Sequence, residues 1–127
     1  MRRYILTLTL AATAFAASHG QTKRMAVIGF SESYLREQPA YTAELGTQAL
    51  MGSVVEIVAE EGYWKQVVTS EPYTAWCTDL GLVEMKHDRL AAYIAAPKYI
   101  CTALHSTVRK GASMEEDQIS DLAMGCL

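Results

Sequence analysis

Short runs of β-branched, aromatic and alternating residues recur along the chain after its first twenty or so residues. Residues 53–59 place Val55 and Ile57 on one face, as expected of a strand with one buried side. Gly62 then predicts a hairpin turn, and residues 64–69 are predicted to be the partner strand. Further strands are predicted at residues 25–30, 34–36, 45–50, 73–77 and 82–85. Many short strands joined by tight turns predict an all-β fold, a small barrel or sandwich.

The strand pattern breaks at residues 86–98, KHDRLAAYIAAPK. Asp88 can cap a short helix that buries Leu90, and Pro97 would end it. Residues 99–103 are strand-like again. We therefore expect a signal segment at 1–20, an all-β domain at 25–85, a helical connector at 86–98 and a second β unit at 99–127.

The second β unit repeats part of the first domain. Residues 33–54 and 106–127 align without a gap at an offset of 73 (106 − 33), with four identical positions. The identical pairs are Ser33 and Ser106, Arg36 and Arg109, Met51 and Met124, and Gly52 and Gly125. The repeat predicts one small module used twice, the second copy being incomplete at residue 127. Residues from about 104 onward are expected to be mobile or to dock on the first module.

The N-terminal residues have the pattern of a secretory signal peptide. Arg2-Arg3 is a positive region, and residues 4–17 carry no charge but are too short to span a bilayer comfortably. Cleavage is expected after Ala16 or Gly20, where small residues precede the cut. We expect an exported chain, periplasmic or secreted, that is free of the membrane after cleavage. A short membrane anchor is the alternative.

Charge and cysteine content remove some classes of function. The net charge of −3 leaves no basic surface for nucleic acid or for an anionic membrane. Cys77, Cys101 and Cys126 match no zinc spacing, and we expect no metal and no cofactor. Export permits a disulfide, but the odd number leaves the pairing open. Cys77, beside Trp76 in a strand pattern, is interpreted as a small buried apolar residue.

A cysteine nucleophile needs a nearby base and usually a helix N-terminus to lower its pKa. Cys77 and Cys101 lie in strand patterns, whereas His87 lies in the connector and His105 in the second unit. Nothing in the sequence pairs a cysteine with a histidine. We therefore expect no catalysis by this chain alone. The rival hypothesis is an enzyme that uses Cys77 or Cys101 as its nucleophile.

The aromatic residues offer better candidates for binding. Trp64 is the strongest candidate for the core, because a small barrel fills its interior with large side chains. Tyr41 lies on the loop after residue 36, and Tyr73 lies at the start of a strand. Either tyrosine can line a groove or simply pack against its neighbours.

A set of short motifs in residues 25–85 resembles a known family. These are Leu35-Arg36 followed by Pro39, Ala43-Glu44-Leu45-x-x-Gln48, Met51-Gly52, Gly62-Tyr63-Trp64 and Tyr73-x-x-Trp76. Together they resemble the bacterial SH3-like domain of exported NlpC-type cell-wall cysteine peptidases, which include bacterial dipeptidyl-peptidases. The segment from residue 99 onward is similar to the start of the second SH3-like domain in the same proteins.

The resemblance implies a small SH3-like barrel, a helical connector and an incomplete second barrel. It further implies a non-catalytic module that recognises peptidoglycan stem peptides with a free N-terminal L-alanine, beside a peptidase domain that cleaves γ-D-glutamyl-L-diamino-acid bonds. By motif position, Glu44 and Tyr73 would reach the substrate amine, and Tyr41 is a further candidate for binding. Pro72 and Cys77 depart from the family pattern, and no Asp-Cys-Ser-Gly signature of the peptidase occurs in the sequence.

The sequence is also compatible with a second class of function. The chain can instead be a free-standing exported adaptor that binds another protein through the edges of its β-sheet. Retention on purified peptidoglycan would distinguish the cell-wall module from such an adaptor.

Overall fold

The computed structural model describes residues 22–127. Within that range the chain forms nine strands, one helix and one 3₁₀ turn, so the predicted mainly β fold is confirmed. The strands are β1 Arg24–Ile28, β2 Glu32–Arg36, β3 Leu45–Leu50, β4 Val54–Glu61, β5 Trp64–Thr69, β6 Thr74–Thr78, β7 Leu82–Met85, β8 His105–Arg109 and β9 Gln118–Ala123. The helix α1 spans His87–Ala95, and the 3₁₀ turn spans Asp79–Gly81. The predicted signal peptide lies outside the described residues.

Seven strands form one antiparallel sheet in the order β3-β2-β6-β5-β4-β1-β7. Three pairs of neighbours are consecutive in sequence, β2–β3, β4–β5 and β5–β6, whereas β1 lies between β4 and β7, and β2 lies beside β6. The β2–β6 contact is a single pair, Arg36 opposite Trp76. β3 and β7 end the sheet and are not hydrogen-bonded to each other, so among residues 22–127 the sheet is open and has two free edges.

The core lies on one face of this sheet. Its most deeply buried side chains include Ile28, Leu35, Val55 and Val67, each no more than 1 % exposed. Alternation along β4 buries Val55 and Ile57, as predicted. Trp64 is also buried, as predicted, but it lies outside the main apolar cluster, because it is three residues from Val67 on β5 and so projects to the opposite face.

The connector is a helix, as predicted, but its start differs from the prediction. Lys86 occupies the N-cap, without a side-chain bond, and Asp88 lies in the first turn. A carboxylate there still favours the helix, since the N-terminal end of a helix carries partial positive charge. Leu90 is buried, and the helix ends at Ala95, ahead of Pro97. None of the helices in residues 22–127 has both the length and the apolar composition needed to cross a membrane.

The internal repeat is confirmed in the backbone. β8 and β9 pair in the same register as β2 and β3, shifted by 73 (105 − 32), and both pairs have their irregularity at the equivalent step. The arginines at the ends of the two hairpins make equivalent bonds: Arg36 donates to the carbonyl of Ala43 at 2.7 Å, and Arg109 donates to that of Glu116 at 2.9 Å. The two segments therefore share one local structure as well as a sequence pattern.

One predicted strand is absent. Residues 99–103 correspond to β1, yet they form irregular extended chain. The physical reason is pairing: β1 is bonded along its length by β4 and β7, whereas residues 99–103 are bonded through Cys101 alone. A strand needs a ladder of such bonds to be regular.

The second unit docks on the first module, the second of the two predicted alternatives. The N–H of Leu127 donates to the carbonyl of Met51 at 3.0 Å, and the hydroxyl of Ser31 donates to the carbonyl of Asp121 at 3.1 Å. Tyr93 of α1 donates to the carbonyl of Gly52 at 2.8 Å, so the connector holds the same turn. The two Met-Gly turns are consequently close to one another.

Candidate functional site

A cleft of about 680 Å³ runs along the free edge of β3; we call it the β3 cleft. Its first wall is β3 itself with the following turn, and its second is the connection between β5 and β6. The docked C-terminal segment closes one end. The cleft is lined by residues 46–50, 53–54 and 69–73, together with Gly125 and Leu127.

Tyr73 lies on the second wall and is 39 % exposed. Two hydrogen bonds between Thr69 and Tyr73 stabilise the connection between β5 and β6. The N–H of Thr69 donates to the carbonyl of Tyr73 at 3.1 Å, and the N–H of Tyr73 donates to the Thr69 hydroxyl at 3.3 Å. The phenol crosses to Gly46 on the first wall. A residue without a side chain at position 46 allows that approach.

Glu44 is exposed, directly before β3, and does not line the β3 cleft. Its carbonyl accepts a bond from the N–H of Glu37 at 3.1 Å, which closes the loop at residues 37–44. The carboxylate that does line the cleft is Glu71, two residues before Tyr73. The signal in the sequence that points to Glu71 is its position two residues before Tyr73.

Tyr41 lies in a different place. Its ring is 5.0 Å from that of Trp64 and 6.2 Å from that of Tyr63, so the three aromatics form one cluster. Burial raises the pKa of the Tyr41 phenol, and the neighbouring Tyr63 adds to the effect. This cluster explains how Trp64 is covered on its side of the sheet. The structure therefore does not bring Tyr41 and Tyr73 into one pocket.

Tyr41 also lines a second, smaller cleft of about 250 Å³. Phe30 and Tyr34, both about half exposed, lie on its walls together with Glu32 and Arg36. Its aromatic walls can stack against flat or aliphatic parts of a ligand. Charge in this cleft is mixed, because a carboxylate and a guanidinium both line it.

A third group of charges lies across β1, β4, β5 and β7. Arg24 pairs with Glu60 and, at 2.7 Å, with Glu84, and Lys65 pairs with Glu60 at 3.2 Å. The bond to Arg24, helped by Lys65, lowers the pKa of Glu60. Glu60 therefore belongs to β4 and is ion-paired. The group ties strands together and leaves no free carboxylate for a ligand amine at Glu60.

The environment of Cys77 does not favour nucleophilic chemistry. Cys77 is 4 % exposed on β6, and burial raises the pKa of its thiol to about 11. A thiol of that pKa is almost wholly protonated at neutral pH and is a poor nucleophile. Among residues 22–127 there is no group of three or more His, Cys, Asp or Glu side chains that could hold a metal ion.

Comparison with models of protein families found none that matches this chain. Comparison with curated proteins found no match either.

Proposed function

We propose that this protein is an exported, non-catalytic recognition module that binds peptidoglycan stem peptides by their free N-terminal L-alanine. The observation that carries the proposal is the β3 cleft, which Glu71 and Tyr73 line together with β3. The mainly β fold and the motifs quoted above support assigning residues 25–85 to an SH3-like module and residues 99–127 to the start of a second one.

The chemistry of the cleft suits a short peptide with a free amine. A carboxylate such as that of Glu71 holds an ammonium group by a charge-assisted hydrogen bond, and the Tyr73 ring offers a face on which the cation can rest. The backbone of β3 offers unpaired N–H and C=O groups to an extended ligand. Binding of the ammonium group would fix the position of the peptide's N-terminus, and pairing with the strand edge would fix the direction of the peptide backbone.

The partner in hydrolysis would be an NlpC-type cysteine peptidase domain, which cleaves the γ-D-glutamyl-L-diamino-acid bond. In this proposal the present module selects stems with an unblocked L-alanine and presents the bond to the peptidase. Export through the predicted signal peptide would place it with its substrate in the periplasm or outside the cell.

The test is binding of the tripeptide L-Ala-γ-D-Glu-L-diamino acid, measured by calorimetry, with the N-acetylated tripeptide as control. We expect the acetylated peptide to bind at least about tenfold more weakly, because it lacks the charge that the carboxylate holds. Glu71→Gln should weaken binding of the free tripeptide by about 10- to 100-fold, from the loss of one charge-assisted bond of about 1.5–3 kcal/mol. Equal binding of free and acetylated peptides would refute the proposal.

Glu44→Gln is the matched control. Glu44 is the carboxylate that the resemblance implies, and it lies two residues before Gly46 but outside the cleft lining. We expect its substitution to change affinity less than that of Glu71. The opposite order would keep the function and return the amine contact to Glu44.

A second candidate function rests on the two free sheet edges. β3 and β7 both end the sheet, and a free edge can pair with a strand of another protein. An adaptor of this kind would not be retained on purified peptidoglycan, whereas the stem-peptide module would be. Sedimentation of the protein with isolated sacculi separates the two functions.

A further inference from the structure

We propose that Cys101 and Cys126 form a disulfide that closes the second copy of the repeat. Both residues belong to the docked unit, and both are free thiols in the structure. The N–H of Cys101 donates to the carbonyl of Cys126 at 2.8 Å, and the N–H of Gly125 donates to the carbonyl of Cys101 at 2.8 Å. The backbones of the two cysteines therefore lie opposite each other in an antiparallel contact.

The backbone geometry suits a disulfide. Gly125 has a φ of +97°, and with Cys126 it stands opposite Cys101 in the arrangement of a glycine β-bulge. In a regular antiparallel ladder, residues that exchange both bonds have Cα atoms about 5.5 Å apart. Here Cys101 donates one bond to Cys126 and accepts the other from its neighbour Gly125. Disulfides span Cα separations of about 4.4–6.8 Å, so a contact of this kind brings the two backbones to the right order of distance.

Only the side chains need to turn. The thiol of Cys126 donates to the carbonyl of Ser31 at 3.2 Å, and that of Cys101 donates to the carbonyl of Ala103 at 3.5 Å. Both are weak bonds from a poor donor. Rotation about the side-chain bond of each cysteine would exchange them for one covalent bond.

The repeat gives an independent argument. Cys101 and Cys126 lie 73 residues after Ile28 and Ser53, and the first copy has the same two backbone bonds there. In the first copy this contact continues into the ladder between β1 and β4. Residues 99–103 have no such ladder in the described structure. The backbone contact that ties residues 99–103 to the rest of the second copy is the one that carries the two cysteines.

The proposed pairing leaves the third of the three cysteines, Cys77, as a free thiol. Cys77 is enclosed in the main apolar cluster on β6, among the side chains of the first module. It is the structural thiol, and the pairing of the other two leaves it reduced. The arrangement selects one pairing out of the three that the sequence allows.

The oxidation is a two-electron exchange with a disulfide-containing oxidant, such as oxidised glutathione. One cysteine thiolate attacks the oxidant and forms a mixed disulfide, releasing one glutathione thiol. The second cysteine then attacks the mixed disulfide and releases the other glutathione thiol, so that two protein thiols become one disulfide. Its presence in the cell rests on the proposed export, but its formation in a redox buffer does not.

The test is a count of free thiols. The folded protein is equilibrated with oxidised and reduced glutathione, quenched with acid, and alkylated in denaturant without reductant. We expect one label per molecule, on Cys77, and a linked peptide that contains Cys101 and Cys126. Cys101→Ser and Cys126→Ser should each lack that linked peptide, and Cys77→Ser should take up no label.

Three labels on the protein after equilibration would overturn the proposal, as would a linked peptide that contains Cys77 or a disulfide between two chains. The wild-type peptide map does not depend on whether any variant folds. Amide exchange gives a second measurement: residues 118–123 should exchange several-fold more slowly in the oxidised protein. Peptide binding plays no part in either experiment, so the disulfide and the proposed function can fail separately.

Discussion

The ring of Tyr73 lies over Gly46, so closely that a Cβ atom at residue 46 would be 3.2 Å from two of its ring carbons and would collide with its hydroxyl. The two residues come from opposite walls of the β3 cleft. Their contact gives the cleft its shape and makes the tyrosine sensitive to the side chain at position 46.

We expect Gly46→Ala to displace Tyr73 and to weaken tripeptide binding by about tenfold, which corresponds to about 1.4 kcal/mol of binding free energy. The phenol is the far end of a movable side chain, and alanine is better than glycine in a strand, so the free energy of unfolding should change by less than about 1 kcal/mol. Calorimetry of binding and urea denaturation measure the two effects.

Tyr73→Ala is the control for that variant. If Gly46→Ala acts only by moving the phenol, combining it with Tyr73→Ala should weaken binding no further than Tyr73→Ala does. Additive losses would show that residue 46 contacts the peptide by itself.

The repeat provides matched arginines. Arg36→Ala removes the bond from the guanidinium to the carbonyl of Ala43, which holds the loop at residues 37–44 in a partly buried setting. We expect it to lower the free energy of unfolding by about 1.5–3 kcal/mol. Arg109→Ala removes the equivalent bond at an exposed position, so its cost should be within about 0.5 kcal/mol. The free energies of unfolding are measured by urea denaturation. Equal losses in the two variants would show that the local hairpin structure alone determines the loss.

Docking of the C-terminal segment can be measured at Gly52. This residue has a φ of +91°, and a Cβ there would stand 2.6 Å from the Cβ of Leu127. We expect Gly52→Ala to cost more than the roughly 1–2 kcal/mol of backbone strain alone. Gly62→Ala is the matched control, because Gly62 also has a positive φ, +59°, but nothing lies within 4 Å of its Cβ position.

A double-mutant cycle with Leu127→Gly then isolates the contact. That substitution should recover part of the excess cost of Gly52→Ala and none of the cost of Gly62→Ala. No coupling between residues 52 and 127 would mean that the segment does not rest on the Met51-Gly52 turn in solution.

The raised pKa of Cys77 predicts a dependence of stability on pH. Its thiol ionises near the ordinary value of 9.0 in the unfolded chain but only at about 11 in the folded protein. Between these values the unfolded state binds fewer protons, so the contribution of Cys77 to stability is fully present below pH 9 and declines as the pH rises toward 11. Urea denaturation at several pH values, compared with Cys77→Ala, measures it. A wild type and variant with parallel pH profiles would contradict the assignment.

Local structure was predictable from this sequence to a large extent. The hairpin at Gly62, the strand alternation at Val55 and Ile57, and the end of the helix before Pro97 all follow from properties of a few adjacent residues. Residues 99–103 were not predictable in the same way. Their composition favours a strand, but a strand forms only where a partner supplies its hydrogen bonds.

The candidate site was less predictable than the fold. Tyr73 lies in a cleft, as the interpretation of the aromatics allowed, but its carboxylate neighbour in the lining is Glu71, and Tyr41 lies in a separate aromatic cluster. Which side chains share a cleft depends on the order of strands in the sheet. The pairing of β2 with β6, through Arg36 and Trp76, brings together segments that are 40 residues apart (76 − 36).

The sequence by itself determined the repeated unit, because its hairpin register and its glycine turn depend on contacts within some twenty residues. The identical residues of the two copies are 73 positions apart, and so are the residues that pair in their two hairpins. Only the tertiary structure decided that the second copy rests on the Met51-Gly52 turn of the first, and that the backbone of Cys101 lies opposite that of Cys126. Those contacts join segments distant along the chain, and their energy comes from packing and pairing that no local pattern encodes.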